Sequence, residues 1–296
     1  MQVDGTIPLW IAARTLLYER VDDFFRRRDK ALKTSDPEDI HDLRVASRRL
    51  REGLALFAPC YPAGNLTRLV KQVKLVTRLL GEIRNTDEAI LFFTELMEEL
   101  DDLCRSDLEK VLDTFQTSRK KELKRLKTGL RDIVSKTLHD LFRRTVSAPS
   151  LFNPKVKGID LFMSLSQFAG SALDSRLTTV LGLLPEAGQP EAGEAQHLLR
   201  IAIKHYRYRM EILSFLIGDH YEELHGVLKN YQDILGKLHD LDVFTGIVHE
   251  AGFSSQAQQL VLDAIYAKKG KLFADFYGML ETTPLEMIGE RLRNVW

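Results

Sequence analysis

His41-Asp42-Leu43-Arg44-Val45-Ala46-Ser47-Arg48-Arg49-Leu50-Arg51 has a near-copy later in the chain, His197-Leu198-Leu199-Arg200-Ile201-Ala202-Ile203-Lys204-His205-Tyr206-Arg207. Both place His, Arg, Arg or Lys, and Arg at i, i+3, i+7 and i+10. At about 100° per residue, those four positions fall within an arc of about 80° of a helix. Leu43, Ala46, Leu50, Leu54 and Phe57 fall on the opposite arc of the first copy. Leu199, Ala202, Tyr206, Met210 and Leu213 do so in the second. Each stretch therefore reads as a helix with one face for a core and one for charge.

A solvated helix face usually mixes signs, with Glu and Lys at i, i+4. These two rows are nearly all positive until Glu211, which can pair with Arg207 one turn back. They are also mostly arginine, whose planar fork suits phosphate oxygens. A cationic row repeated at this spacing points to a polyanion ligand.

The repeat extends beyond the rows. His197 lies 156 residues after His41, and the same offset carries Arg20 to Arg176 and Leu17 and Val21 to Leu173 and Leu177. Leu80-Gly81-Glu82-Ile83-Arg84-Asn85-Thr86-Asp87 matches Leu235-Gly236-Lys237-Leu238-His239-Asp240-Leu241-Asp242 at an offset of 155. Helical periodicity runs nearly throughout and strand signals are missing. The chain reads as all-α, an internal duplication of helical bundles. Helices are predicted at 8–33, 37–58, 65–80, 86–103, 107–137 and 138–146, then at 159–184, 191–217, 221–235, 240–250 and 255–281. Asp36 and Pro37 supply a helix start, Pro190-Glu191 begins the matching helix, and Pro59 and Pro62 end the first basic helix. The aperiodic stretch 147–154, with two prolines, reads as a boundary between residues 1–148 and 155–296. So short a junction predicts that the halves pack together.

The bulk numbers hide the rows. The 296 residues carry 42 Lys+Arg and 42 Asp+Glu, a net charge of zero, yet a local field depends on where charges sit. Hydrophobic residues at 44% are ordinary for a globular chain. Cys60 and Cys104 are the two cysteines, too few for a metal knuckle and suited to a reducing compartment. The start of the chain lacks the pattern of a signal peptide, and no apolar run reaches about 18 residues. A cytoplasmic protein with no membrane partner is expected.

Further cationic rows stand at Lys71, Lys74 and Arg78, leading into a predicted turn at Leu80-Gly81, and at Lys120, Lys124 and Lys127 with Arg131. For such lysine-rich stripes a solvated outer face is the alternative. The rows thin out in the second half, so the first half is expected to contribute more charge.

His-x-x-Arg-Val-x-x-Arg-Arg-x-Arg followed by Leu-Gly-x-x-Arg/His-Asp-x-Asp, given twice in a helical chain, resembles the CHAD domain, the conserved histidine α-helical domain. The resemblance spans roughly residues 8 to 282. It implies two four-helix bundles related by a pseudo-two-fold, packed around a basic groove or channel. It implies binding of inorganic polyphosphate (or of sulfate or phosphate ions in its place), association with polyphosphate granules, and no catalytic reaction or cofactor. The first motif falls on His41, Arg44, Arg48, Arg49 and Arg51, and the second on His197, Arg200, Lys204 and Arg207. Arg20, Arg176, Lys71, Lys74, Arg78, Lys120, Lys124 and Lys127 complete the predicted polyphosphate-binding set. Two positions depart from the family pattern: Asn85 stands in place of Asp, and His205 in place of a second paired basic residue.

Other readings remain. Glu38/His41, Glu194/His197 and Glu222/His225 have the i, i+3 spacing of carboxylate-bridged metal bundles, making a metal-binding bundle that uses His41 and His197 one alternative. His41-Asp42, His139-Asp140 and His239-Asp240 suggest a metal-dependent phosphohydrolase, but further ligands are not identifiable. A nucleic-acid-binding module is a third; the rows lack interleaved aromatics for base stacking. A phosphate loop of the Gly-x-x-x-x-Gly-Lys-Ser/Thr type is absent. His41 and His197 are expected to fix the junction of the halves more than to touch ligand. Asp87 and Asp242 are expected to cap helices or hold an arginine.

Overall fold

A computed structural model describes residues 3–34, 36–132, 136–151, 159–293 and 295. They form α1 (Leu9–Thr34), α2 (Pro37–Leu56), α3 (Ala63–Glu99), α4 (Asp102–Asp132) and α5 (Lys136–Val146). After these come α6 (Leu165–Ala187), α7 (Gly193–Ile212), the short α8 (Ser214–Ile217), α9 (His220–Glu250), α10 (Ser255–Thr282) and α11 (Glu286–Arg293). The fold is all-α. Part of the predicted junction, and residue 155 where the second unit was set to begin, lie outside the described residues.

Helix starts follow local chemistry. The Asp36 carboxylate accepts the Glu38 N–H at 2.8 Å, and Pro37 takes the first helical position, where a missing N–H costs nothing. Pro59 sits in a 3₁₀ turn (Ala58–Cys60) just past the end of α2. α7 opens at Gly193 rather than at Pro190, and Ala192 in the N-cap position supplies no side-chain bond.

The larger correction concerns α3 and α9. Breaks were expected near Leu80-Gly81 and after Leu235-Gly236, yet single helices of 37 and 31 residues run through both places. A lone mid-helix glycine costs about 1 kcal/mol relative to alanine, little against the packing of so long a helix. Gly236 has a packing reason besides: a Cβ there would stand 3.3 Å from the Arg200 Nε.

All ten residues assigned to the two apolar arcs are at most 8% exposed. Burying each leucine-sized side chain stabilises by roughly 1.5–3 kcal/mol, which fixes how α2 and α7 are turned and so where their rows point. α1 packs on α2 and α2 on α3; α6 packs on α7 and α7 on α9; α2 meets α7. One apolar core is shared by residues of both halves, among them Leu17, Leu50 and Leu69 with Leu173, Tyr206 and Leu228. A second core joins the far ends of α3 and α4 to α9 and α10 through Phe93, Leu108, Phe244 and Val261. The segments before α1 and α6 also bond to each other, with Leu9 N–H donating to Met163 O and Leu165 N–H to Ile7 O, both at 2.9 Å. Asp4 and Asp160 turn these segments alike, accepting the N–H of Thr6 at 2.8 Å and of Phe162 at 2.9 Å.

Candidate anion-binding site

The row cations Arg44, Arg48 and Arg51 on α2 and Arg200 and Lys204 on α7 form one partly buried group. Burial, then Arg48, Arg51, Arg200 and Arg44 in that order, brings the Lys204 ammonium down to about 8. Burial, then Arg48 and Arg84, brings Arg44 down to about 10. Burial and Arg48 lower Arg51. Burial lowers Arg200, with Arg84 and Arg48 adding to it and Asp240 opposing. None of these five row cations forms an ion pair among the described residues. Crowding like charges at a partly dehydrated surface costs stability, so the group is a functional candidate with a physical rationale. Two of the group, Arg44 and Arg200, have a buried Nε without a partner, as do Arg20 and Arg207 beside it and the Nδ1 of His197.

The neighbouring cations are arranged differently. Glu52 on α2, 2% exposed, receives the Arg209 Nη2 at 3.0 Å and stands 2.7 Å from the His205 Nδ1. Glu211 on α7 receives Arg49 from α2 at 2.8 Å, has His225 Nε2 at 3.1 Å from α9, and has Arg207 at 3.9 Å. The anticipated Arg207 contact is thus the longest of the three. Arg49 loses solvent, which disfavours its charge, but the hydrogen bond and the charge of Glu211 together outweigh this and its pKa rises. Burial alone would raise Glu211; bonds from His225 and Arg49 overcome it and hold the group ionised. The predicted residue Arg20 lies in the field of Arg49 and Glu211, and Arg176 in that of Arg209. Tyr208 stands between the two arrangements, its hydroxyl 3.3 Å from Arg48 Nη1 and its ring 5.1 Å from the Arg207 guanidinium.

The histidines divide. His41 is exposed. His197 packs against His239 of α9 with ring centroids 3.9 Å apart and planes tilted by 34°. Burial, Arg200 and Lys204 lower the His197 pKa; burial, His197 and Arg200 lower that of His239. The pair borders a cleft of about 460 Å³, also lined by Glu191, Gly193, Glu194, Asp242 and Lys269. Asp87 and Asp242 sit inside α3 and α9, not at helix ends, so they cap nothing. They hold Arg119 on α4 and Lys269 on α10.

Lys71, Lys74, Arg78, Lys120 and Lys124 are exposed, Lys127 is half-buried, and none appears among the charges acting on the central group. Arg78 is within 3.8 Å of Glu82. Arg84 was left out of the predicted set although it stands in a quoted motif. It reaches across to Asp240 on α9 at 3.1 Å and acts electrostatically on Arg44 and Arg200. Position 85, where Asn replaces Asp, is the first-half counterpart of Asp240, so the reciprocal ion pair cannot form. Arg209 and Glu52 carried no periodic signal, because they lie off the row.

Among the described residues no group of three or more His, Cys, Asp and Glu is placed to hold a metal ion. Of the three Glu/His pairs, His225 is committed to Glu211. The three His-Asp dipeptides lie on α2, α5 and α9; Asp42 pairs with Arg27 and Asp240 with Arg84. Tyr208, which touches Arg48 and Arg207, is 3% exposed and offers no face for a base. No helix among the described residues is long and apolar enough to cross a membrane.

No curated protein matches the chain. Among solved structures, it is similar to the CHAD domain from the plant Ricinus communis, at 22% identity over 99% of this chain and 94% of that one, with a TM-score of 0.61. It is similar also to PptA from Streptomyces chartreusis, at 16% identity over 97% of this chain and 99% of that one, again with a TM-score of 0.61. At such identities the likeness speaks for the fold alone. The family model for the CHAD domain matches residues 15–249, a narrower span than the 8–282 inferred from motifs, but one that takes in both basic rows and both Leu-Gly blocks, and on it the chain belongs to the CHAD domain family.

Proposed function

We propose that this chain is a non-catalytic module that binds inorganic polyphosphate in a groove between two duplicated helical halves. The CHAD family is associated with polyphosphate. The observation that carries the proposal for this chain is the central group: Arg44, Arg48, Arg51, Arg200 and Lys204, drawn from both rows and lacking any acidic partner. Polyphosphate is a flexible chain of anionic units with no base to read, so its recognition rests on charge and on forked contacts to oxygen. A single exposed contact is worth little. Five cations on two rigid helices share the cost of ordering one ligand. The halves act as one unit in this reading, since each supplies part of the group. Lys71, Lys74, Arg78, Lys120, Lys124 and Lys127 then serve as an outer field that attracts the polyanion, and granule association follows from the same charge.

Titration with linear polyphosphate across a salt series tests this. The affinity should fall steeply with salt, by a slope of about 0.7 per phosphate neutralised if the ligand behaves like a single strand. The triple substitution Arg44→Glu, Arg48→Glu, Arg51→Glu should abolish binding and leave helicity intact. Full affinity in the folded triple variant, or binding unchanged from low to high salt, would overturn the proposal.

A further inference from the structure

We infer that Glu211 is a built-in counter-anion that ends the cationic track and so limits how many phosphates the protein engages. This rests on the polyphosphate reading above. His197, Arg200, Lys204 and Arg207 recur at steps of 3, 4 and 3; Glu211, four further on, continues the same arc of α7 with the opposite charge. Its side chain is only 8% exposed. It is bonded from two other helices, by Arg49 of α2 and His225 of α9, and Arg207 of α7 itself lies 3.9 Å away.

That placement does two things. It occupies Arg49 with a charge-assisted bond, and Arg207 with a longer ion pair, that a phosphate would have to displace. It also puts a fixed negative charge in the path of any polyanion following the row. A ligand chain therefore contacts Arg44, Arg48, Arg51, Arg200 and Lys204 and is turned away at the Glu211 end, although the sequence continues to offer arginines there. The first row has no such stop. At the 156-residue offset the counterpart of Glu211 is Ala55, which is exposed and one turn beyond Arg51. The track is thus closed at one end and open at the other.

Short and long linear polyphosphates titrated against wild type, Glu211→Gln and Ala55→Glu distinguish the possibilities. In folded Glu211→Gln, Arg49 and Arg207 become available, so the salt slope for long chains should rise by about 1 to 2. Affinity for long chains should rise about tenfold, and that for tripolyphosphate should hardly change. Ala55→Glu, at an exposed position that does not threaten folding, should lower the slope by about 1 by engaging Arg51. A folded Glu211→Gln protein with the wild-type slope and length dependence overturns the inference. If Glu211→Gln does not fold, Ala55→Glu decides: an unchanged slope sinks it, a lowered slope upholds it. Failure of wild type to bind polyphosphate at all would instead strike the function proposed above.

Discussion

Two groups of charges share the α2–α7 contact and are built from the same residue types. In one, Arg44, Arg48, Arg51, Arg200 and Lys204 crowd together and none forms an ion pair among the described residues. In the other, Glu52 and Glu211 each collect a histidine and at least one arginine from an opposing helix. In the paired group the two carboxylates are buried and neutralised by cations of the protein itself, which marks it as scaffold. The unpaired group carries charge that folding alone does not explain, which is the ground for proposing it as the ligand site. Composition cannot separate them; only the presence or absence of an ion-paired carboxylate does.

The comparison predicts opposite signs on substitution. The largest effect is expected at Glu52. Glu52→Gln keeps the volume and removes the charge, leaving Arg209, 8% exposed, without its counter-ion. Breaking a buried pair from one side costs about 3 kcal/mol or more. Urea denaturation should show that loss, with polyphosphate affinity of the folded protein retained. A variant as stable as wild type would mean that the Glu52 pairings do not hold the helices together. Arg48→Gln should act the other way. Removing one of the crowded cations should raise stability by about 0.5 to 1 kcal/mol, as relief of unfavourable charge commonly does. Polyphosphate affinity should fall about tenfold, the worth of one good charge-assisted contact. Loss of both stability and binding would place Arg48 with the scaffold.

How far the sequence alone reveals this can be argued residue by residue. The rows and their apolar arcs were legible because a 3.6-residue period is written directly into one helix. The ten buried residues and the cations opposite them follow from that period alone. The continuity of α3 and α9 was not legible, since a glycine in a Leu-Gly pair reads as punctuation until Arg200 is seen lying over Gly236. Glu52 shows the deeper limit. It lies on the polar side of α2, beside the row, and a one-helix pattern puts it in solvent. It is buried because α7 covers that side, a fact about a helix some 150 residues away. Charge pairing between elements far apart in sequence leaves no periodic trace. The matched turns at Asp4 and Asp160, by contrast, stood at the same 156-residue offset as the rows and could have been read.

The finest test of the comparison is a proton count at Lys204. An unfolded lysine titrates near 10.5, whereas burial and its four cationic neighbours bring Lys204 to about 8 in the fold. Between about 8 and 10.5 the unfolded chain holds a proton that the folded protein has released. Stability contributed by this group therefore rises with pH across that window, and below it the cost of charging Lys204 is carried in full. A bound polyanion reverses the balance, because its charge favours the ammonium. Binding at pH 9 should then take up protons, read as a heat of binding that varies with the ionisation enthalpy of the buffer. At pH 7, where Lys204 is mostly protonated already, its share of the uptake should be small. Lys204→Met should remove the uptake at pH 9, because Arg44, the next cation to titrate at about 10, remains charged there. Equal uptake at pH 9 in wild type and Lys204→Met would show that the polyanion does not reach Lys204, and that the unpaired cations are not its seat.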